Sequence, residues 1–232
     1  MDTTTALVLI YRRAYIALLQ RISKRAQAGK SIAYDTAMAR DVRRILDELD
    51  EVTAQWARTV VPRLYSDGVK FAAAAWVARG AKPPSIAKGF AQVHRAAVEA
   101  IAANMTNQLR DATAYVGRRI EDQVRRATLE AAAQKFATGQ KLKDMKADLV
   151  NTFVDEGLTA IRDGAGREWR LDAYAEMVTR STTAEAANAG LINQLKGYGH
   201  DLVQLSEHRS PCEICAPYEG RVYSMTGKTE GY

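Results

Sequence analysis

Apolar residues recur every three or four positions through most of this chain, the signature of helices with one buried face. Over residues 3 to 28 the stripe is Leu7, Tyr11, Ala14, Leu18 and Ile22, and Gly29 is a natural stop. Asp35 is placed to cap a second helix, whose stripe runs Met38, Val42, Ile45 or Leu46, Leu49, Val52, Trp56 and Val60. Pro62 is expected to kink or interrupt it, with helix resuming through 71–78. The stretch GAKPPS at 80–85 reads as a loop, and Ser85 can cap the helix after it.

The next segment, 86 to 138, contains no proline. Its apolar positions are 86, 90, 93, 97, 101, 105, 109, 112, 116, 120, 124, 127 and 131. Those 45 residues in 12 steps average 3.75 per step, so a stripe kept in register drifts toward a right-handed wrap. Gly117 is a candidate bend or split and Gly139 a candidate stop. A short helix is expected over 141–154. A turn-rich join around Gly157, Gly164 and Gly166 comes next, then a helix from about 168 to 197 closed by Gly197 and Gly199. Beyond it the period changes from four to two. Residues 201–208 alternate as a half-buried strand does, and 221–225 read as a second strand. The expected fold is therefore mainly α: long helices in a bundle or extended arm, with a small carboxyl-terminal β-hairpin-like unit. Three regions are expected: 1–82, 83–168 and 169–232.

Composition supports the helical reading. Aromatic residues are only 7% of the chain, and roughly one residue in six is alanine. Small side chains favour close helix packing and disfavour a β-rich core. The net charge of +6 and the pI of about 9.3 suit an acidic partner, and equally a plain basic surface. No apolar run reaches the ~18 residues of a spanning helix. LVLIY at 7–11 is too short for a signal peptide and runs straight into Arg12 and Arg13. The expectation is a protein made in a reducing cytoplasm and not inserted in a membrane.

Candidate chemistry is sparse. There is no nucleophile elbow, H-E-x-x-H, P-loop or dinucleotide fingerprint, so a catalytic reading is not supported. Both cysteines, Cys212 and Cys215, form one C-x-x-C. A tight turn brings such a pair to a metal, and His208 supplies a third donor, with His200 as a candidate fourth. Reduced structural thiols are the bland alternative and redox chemistry the weakest, because no βαβ pattern surrounds the pair. Arg118, Arg119, Arg125 and Arg126 repeat at seven residues and can meet nucleic-acid phosphates or a protein partner. The alternative is a solvated face balanced by Arg118–Asp122, Glu121–Arg125 and Asp122–Arg126 at i,i+4. His94 reads as a packing or surface residue.

One stretch carries more. In 177–227, the Arg-Ser-Thr-Thr helix with its A-E-A-A-N run, the G-Y-G turn, the V-Q-L-S-E-H strand and C-E-I-C-A-P-Y-E-G-R-V-Y-S succeed one another. Together they resemble the phage minor capsid protein family, of the Mu F-like head morphogenesis group of tailed phages. The resemblance implies a structural, non-enzymatic protein of the virion, in the capsid interior or at the portal vertex. It implies portal or major capsid partners, self-association or symmetric assembly, and a role in head assembly, DNA packaging or DNA delivery. It also implies a zinc set completed by a H-P-N-C-R-like element tens of residues after the C-x-x-C. That element is absent up to Tyr232, so a truncated product is expected, with His208 or His200 serving if zinc is held. The competing expectation is a zinc-stabilised nucleic-acid-binding protein.

Overall fold

The computed structural model describes residues 3–27, 36–86, 89–138, 160–163 and 165–232. Its helices are α1 (Thr3–Gln27), α2 (Thr36–Ala78), α3 (Phe90–Thr138) and α4 (Leu171–Gly197). Two antiparallel two-stranded sheets accompany them, β1 (Ala160–Arg162) with β2 (Glu168–Arg170) and β3 (Leu202–Gln204) with β4 (Val222–Ser224). The fold is mainly α. The expected helix at 141–154, the stops at Gly29 and Gly139, the cap at Asp35 and the turn glycines Gly157 and Gly164 lie outside the described residues.

Contacts divide the chain into two units. The first comprises Met1–Arg63 and Val98–Glu185; the second comprises Leu64–Ala97 and Ala186–Tyr232.

The first unit buries the stripes read from sequence. Leu7, Tyr11 and Leu18 of α1 are fully buried, as are Met105, Leu109 and Val116 of α3, with Ile101, Ala112 and Ile120 in the same row. On α2, Val42, Ile45, Leu46, Leu49 and Trp56 are buried; Thr53 takes the inner position beside the half-buried Val52. The reason is a polar pair: the Tyr11 hydroxyl and Thr53 Oγ1 share a buried hydrogen bond of 2.7 Å. Burial pushes the Tyr11 hydroxyl's pKa up, so the phenol stays protonated. Thr113 Oγ1 makes a second such link, donating to Asp50 Oδ1 at 2.6 Å.

At two positions where a kink or interruption is expected, the helix is uninterrupted. Helix α2 continues through Pro62, since Trp56, Val61 and Tyr65 on either side are all buried and offset the lost backbone bond. Helix α3 continues through Gly117, where a Cβ would stand 3.0 Å from Leu46 Cδ1. The missing side chain accommodates Leu46 rather than ending the helix.

Two boundaries also move. Residues 168–170, expected as helix, are β2, paired so that Ile161 opposes Trp169. Asp163 makes that hairpin. Its carboxylate accepts from the Trp169 indole at 3.0 Å, from the backbone N–H of Ala165 and Arg167, and from Arg167 Nε at 2.7 Å. The indole bond leads the lowering of its pKa to about 2. Helix α3 begins at Phe90, later than expected: residues 81–86, with the paired prolines, are unhelical and Ile86 is exposed. Helix α4 then starts on the buried Asp172, which accepts from Arg12 Nε at 3.5 Å and the Arg170 guanidinium at 3.0 Å. Arg170 also lies 4.7 Å over the Tyr15 ring, tying α4 to α1.

In the second unit α2 and α4 cross at backbone contact. Gly68 meets Ala187 and Leu191, and Gly190 meets Tyr65 and Val69. Beside the crossing, Asn193 Nδ2 donates to the Tyr65 hydroxyl at 2.8 Å, and that hydroxyl lies 2.8 Å from His94 Nδ1. Helix α4 ends as its glycines foretell. His200 N–H reaches Leu195 O and Gly199 N–H reaches Lys196 O, with Gly199 at φ +76, a left-handed cap.

Candidate functional site: the carboxyl-terminal Cys-x-x-Cys turn

The turn is built on a short ladder. Leu202 opposes Ser224, Val203 opposes Tyr223 and Gln204 opposes Val222. Leu205 N–H to Arg221 O and Gly220 N–H to Leu205 O extend it by one pair. Asp201 fastens the far end. Its carboxylate accepts from Ser224 Oγ, from Thr229 Oγ1 at 2.6 Å and from Thr226 N–H at 2.9 Å. These bonds, the Ser224 one foremost, lower the Asp201 pKa to about 2. A short, half-buried ladder thereby gains a polar anchor at its open end.

Between the strands the chain makes a tight turn. Cys212 O accepts from both Cys215 N–H at 3.0 Å and Ala216 N–H at 2.9 Å. Both thiols are free and exposed. The Cys215 thiol, and then the backbone N–H groups of Cys215 and Ile214, point at the Cys212 sulfur and hold its pKa below the usual thiol range. The same pairing pushes Cys215 up. The turn thus presents one sulfur suited to carry negative charge beside a second, the geometry that thiolate–metal sites use.

His208 stands differently from its sequence expectation. Its Nδ1 lies 2.7 Å from Glu219 Oε1, and its backbone N–H donates to Glu219 Oε2 at 2.9 Å. The backbone bond comes first among the causes that hold Glu219 below the usual carboxylate range. A carboxylate accepts only, so Nδ1 carries the hydrogen and donates it to Glu219. Among the described residues, however, no three His, Cys, Asp or Glu side chains converge on one point. The two thiols come together; His208 is not gathered with them. His200 packs edge-on against Trp76, with ring centroids 5.8 Å apart.

The four arginines separate as well. Arg118, Arg125 and Arg126 are exposed on α3. Arg119 is half-buried and donates to the carbonyl of Ala160 at 3.2 Å, supporting β1. Glu121, expected to pair along its own helix, reaches Arg43 of α2 at 2.8 Å. Sequence reasoning missed the role of Glu219, which stands seven residues after Cys212 with no spacing rule to mark it. It also missed Asp163, where D-G-A-G-R is a turn signature whose carboxylate can gather the loop's N–H groups.

Comparison with known proteins now decides the family. The profile described as phage minor capsid protein 2 matches residues 2–231, nearly the whole chain. The chain belongs to the phage minor capsid protein 2 family. A structural protein of Lactococcus phage LL-H is 32% identical over 76 residues, covering 32% of this chain. The chain matches only 20% of that relative's length. No solved structure matches it. No helix among the described residues is long and apolar enough to cross a membrane.

Proposed function

We propose that this member of the phage minor capsid protein 2 family is a non-catalytic component of the tailed-phage head, resident in the virion. Its contacts there are with the portal protein, the major capsid protein or both, and it serves head assembly, DNA packaging or delivery of DNA. The family match over 2–231 carries this reading. Two long helices suit it: α2 has 43 residues and α3 has 49. Helices of that length offer extended faces to neighbouring subunits.

Quantitative peptide mass spectrometry on nuclease-treated, gradient-purified particles tests it. A fixed, low ratio of this chain to the major shell protein is expected. Absence from finished particles refutes virion residence and leaves an assembly factor that departs before maturation.

Within that role the Cys212–Cys215 turn is a structural fastening. Two thiolates hold a zinc ion, whose remaining ligands come from outside the described residues. Zinc measured on protein purified without chelator tests this. About one equivalent, lost on Cys212→Ser, is expected; metal-free wild type that keeps its fold rejects it. A nucleic-acid role is the second reading, favoured by the exposure of Arg118, Arg125 and Arg126. It requires DNA affinity that falls steeply with salt and drops when these three become Gln.

A further inference from the structure

A groove of about 570 Å³ in the second unit runs along β3. Leu202, Val203, Gln204, Leu205 and Ser206 all line it, five residues in succession. Side chains of a strand alternate between its two faces, so a groove on one face meets every second residue. A groove that meets every residue runs along the strand's edge. The ladder register agrees. Val203 opposes Tyr223 of β4 and Leu205 bonds Arg221 and Gly220 just before it, so by the antiparallel alternation the N–H and C=O groups of Leu202 and Gln204 turn away from that partner. Those groups have no backbone partner among the described residues.

The opposite wall is apolar and helical, with Phe71 and Trp76 of α2 and Leu191 and Leu195 of α4. Phe71 is 65% exposed and Leu205 46% exposed, so the apolar lining is open to solvent. Arg79 also lines the groove, and no Asp or Glu does.

We propose that this groove is a strand-addition slot for an extended segment of another head protein. The unpaired edge requires an extended backbone, the helical wall requires apolar side chains at alternate positions, and Arg79 favours a carboxylate among the others. The edge from Leu202 to Leu205 accommodates about 14 Å of strand, hence a core contact of four residues within a slightly longer occupant. The source of the segment rests on the head-protein reading above. The slot does not.

The test uses the full chain and an acetylated, amidated hexapeptide of alternating valine and threonine in which one threonine is replaced by glutamate. Backbone amide shifts are recorded on titration. Binding is expected to move the signals of residues 202–206 and 71–79. It is expected to weaken at least tenfold when the peptide is N-methylated on the edge facing β3, and several-fold when its glutamate becomes lysine. Gln204→Pro removes the outward N–H without a ladder bond and is expected to weaken binding at least tenfold. Phe71→Ser, at an exposed site, gives the same direction if the proline variant does not fold. No shifts along β3, or equal binding by both variants, overturns the slot. Concentration-dependent dimers that Gln204→Pro dissolves overturn the separate-protein occupant in favour of a second copy. A chain that binds the peptide yet is missing from particles leaves the slot standing and removes the head protein as its source.

Discussion

The crossing of α2 and α4 at Gly68 and Gly190 makes the sharpest prediction. Glycine inside a helix is ordinarily a weakness, and Gly→Ala at an open helical position gains about 1 kcal/mol. Here the sign reverses. A Cβ on Gly68 would stand 2.9 Å from Leu191 N and closer still to the Ala187 carbonyl oxygen. One on Gly190 would stand 3.2 Å from Val69 N and press on the Tyr65 carbonyl oxygen. The obstacles are backbone atoms, which cannot rotate away as a side chain can. Relief requires the helices to part by on the order of 1 Å, which forfeits a quarter to a half of the dispersion energy along the contact. Overpacking of this kind costs about 3 kcal/mol, the upper part of its usual range. Subtracting the propensity gain of about 1 kcal/mol leaves about 2 kcal/mol of destabilisation for either substitution. One separation relieves both clashes, so the double variant loses less than the sum.

Hydrogen exchange resolved by peptide is the appropriate assay, because it reads each unit separately. In Gly190→Ala, amides at 64–78 and 186–197 should exchange about 30-fold faster, the equivalent of about 2 kcal/mol. Gly117→Ala is the internal control: among the described residues a Cβ there meets the tip of the flexible Leu46 side chain, so the change should lie within about 1 kcal/mol of neutral. A stabilised or unchanged Gly190→Ala would refute the backbone contact and, with it, the register of α2 on α4.

Other consequences are checked more simply. Thr53→Val strands the buried Tyr11 hydroxyl and should cost about 1–3 kcal/mol in urea unfolding, whereas restoring a hydroxyl with serine should recover most of it. Asp163 and Asp201 have folded pKa values of about 2, below the ordinary 3.8, so the folded state binds fewer protons than the unfolded one as pH drops. Their stabilisation is complete above about pH 4 and is lost as pH falls toward 2. Asp201→Asn should flatten that part of the acid-unfolding curve for residues 201–229. Burial lowers the pKa of His94 below 6.5, which again places the extra protons on the unfolded chain. The second unit should hold its stability above neutral pH and lose it as pH falls below about 6.5, and His94→Gln should remove that slope in exchange measurements on 186–197.

Much of the helical plan was legible in the sequence because burial in the first unit follows a single period. The row 101, 105, 109, 112, 116, 120 is apolar in the sequence and buried in the fold. The terminal hairpin was legible for the same reason, a change of period from four to two. The features that escaped depend on partners that are distant in sequence. Pro62 and Gly117 read locally as kinks or interruptions, and tertiary packing keeps the helix continuous through both. The strand at 168–170 depends on Asp163 collecting four donors, which no propensity encodes. The C-x-x-C was evident, but the carboxylate that takes up His208 was not, and the groove along β3 appears only when three separate stretches lie together.

An alanine-rich bundle with few aromatics poses a specificity problem. Small, similar faces pack in several registers with little difference in energy, so burial alone does not choose among them. The chain resolves this with a few polar pairs that link residues remote in sequence. Tyr11 with Thr53 fixes α1 on α2, Asp50 with Thr113 fixes α2 on α3, and Tyr65 with Asn193 and His94 fixes the helices of the second unit. A slip by one turn would bury a hydroxyl, amide or carboxylate without its partner, at about 1–3 kcal/mol for each neutral group. The glycine contacts act in the same sense from the steric side: only one register places Gly68 and Gly190 where the opposing backbone arrives. Replacing Tyr65 and Asn193 together with Phe and Leu should therefore retain much of the stability while broadening the amide spectrum of the second unit. Retained sharpness in that variant would assign register to the glycines alone.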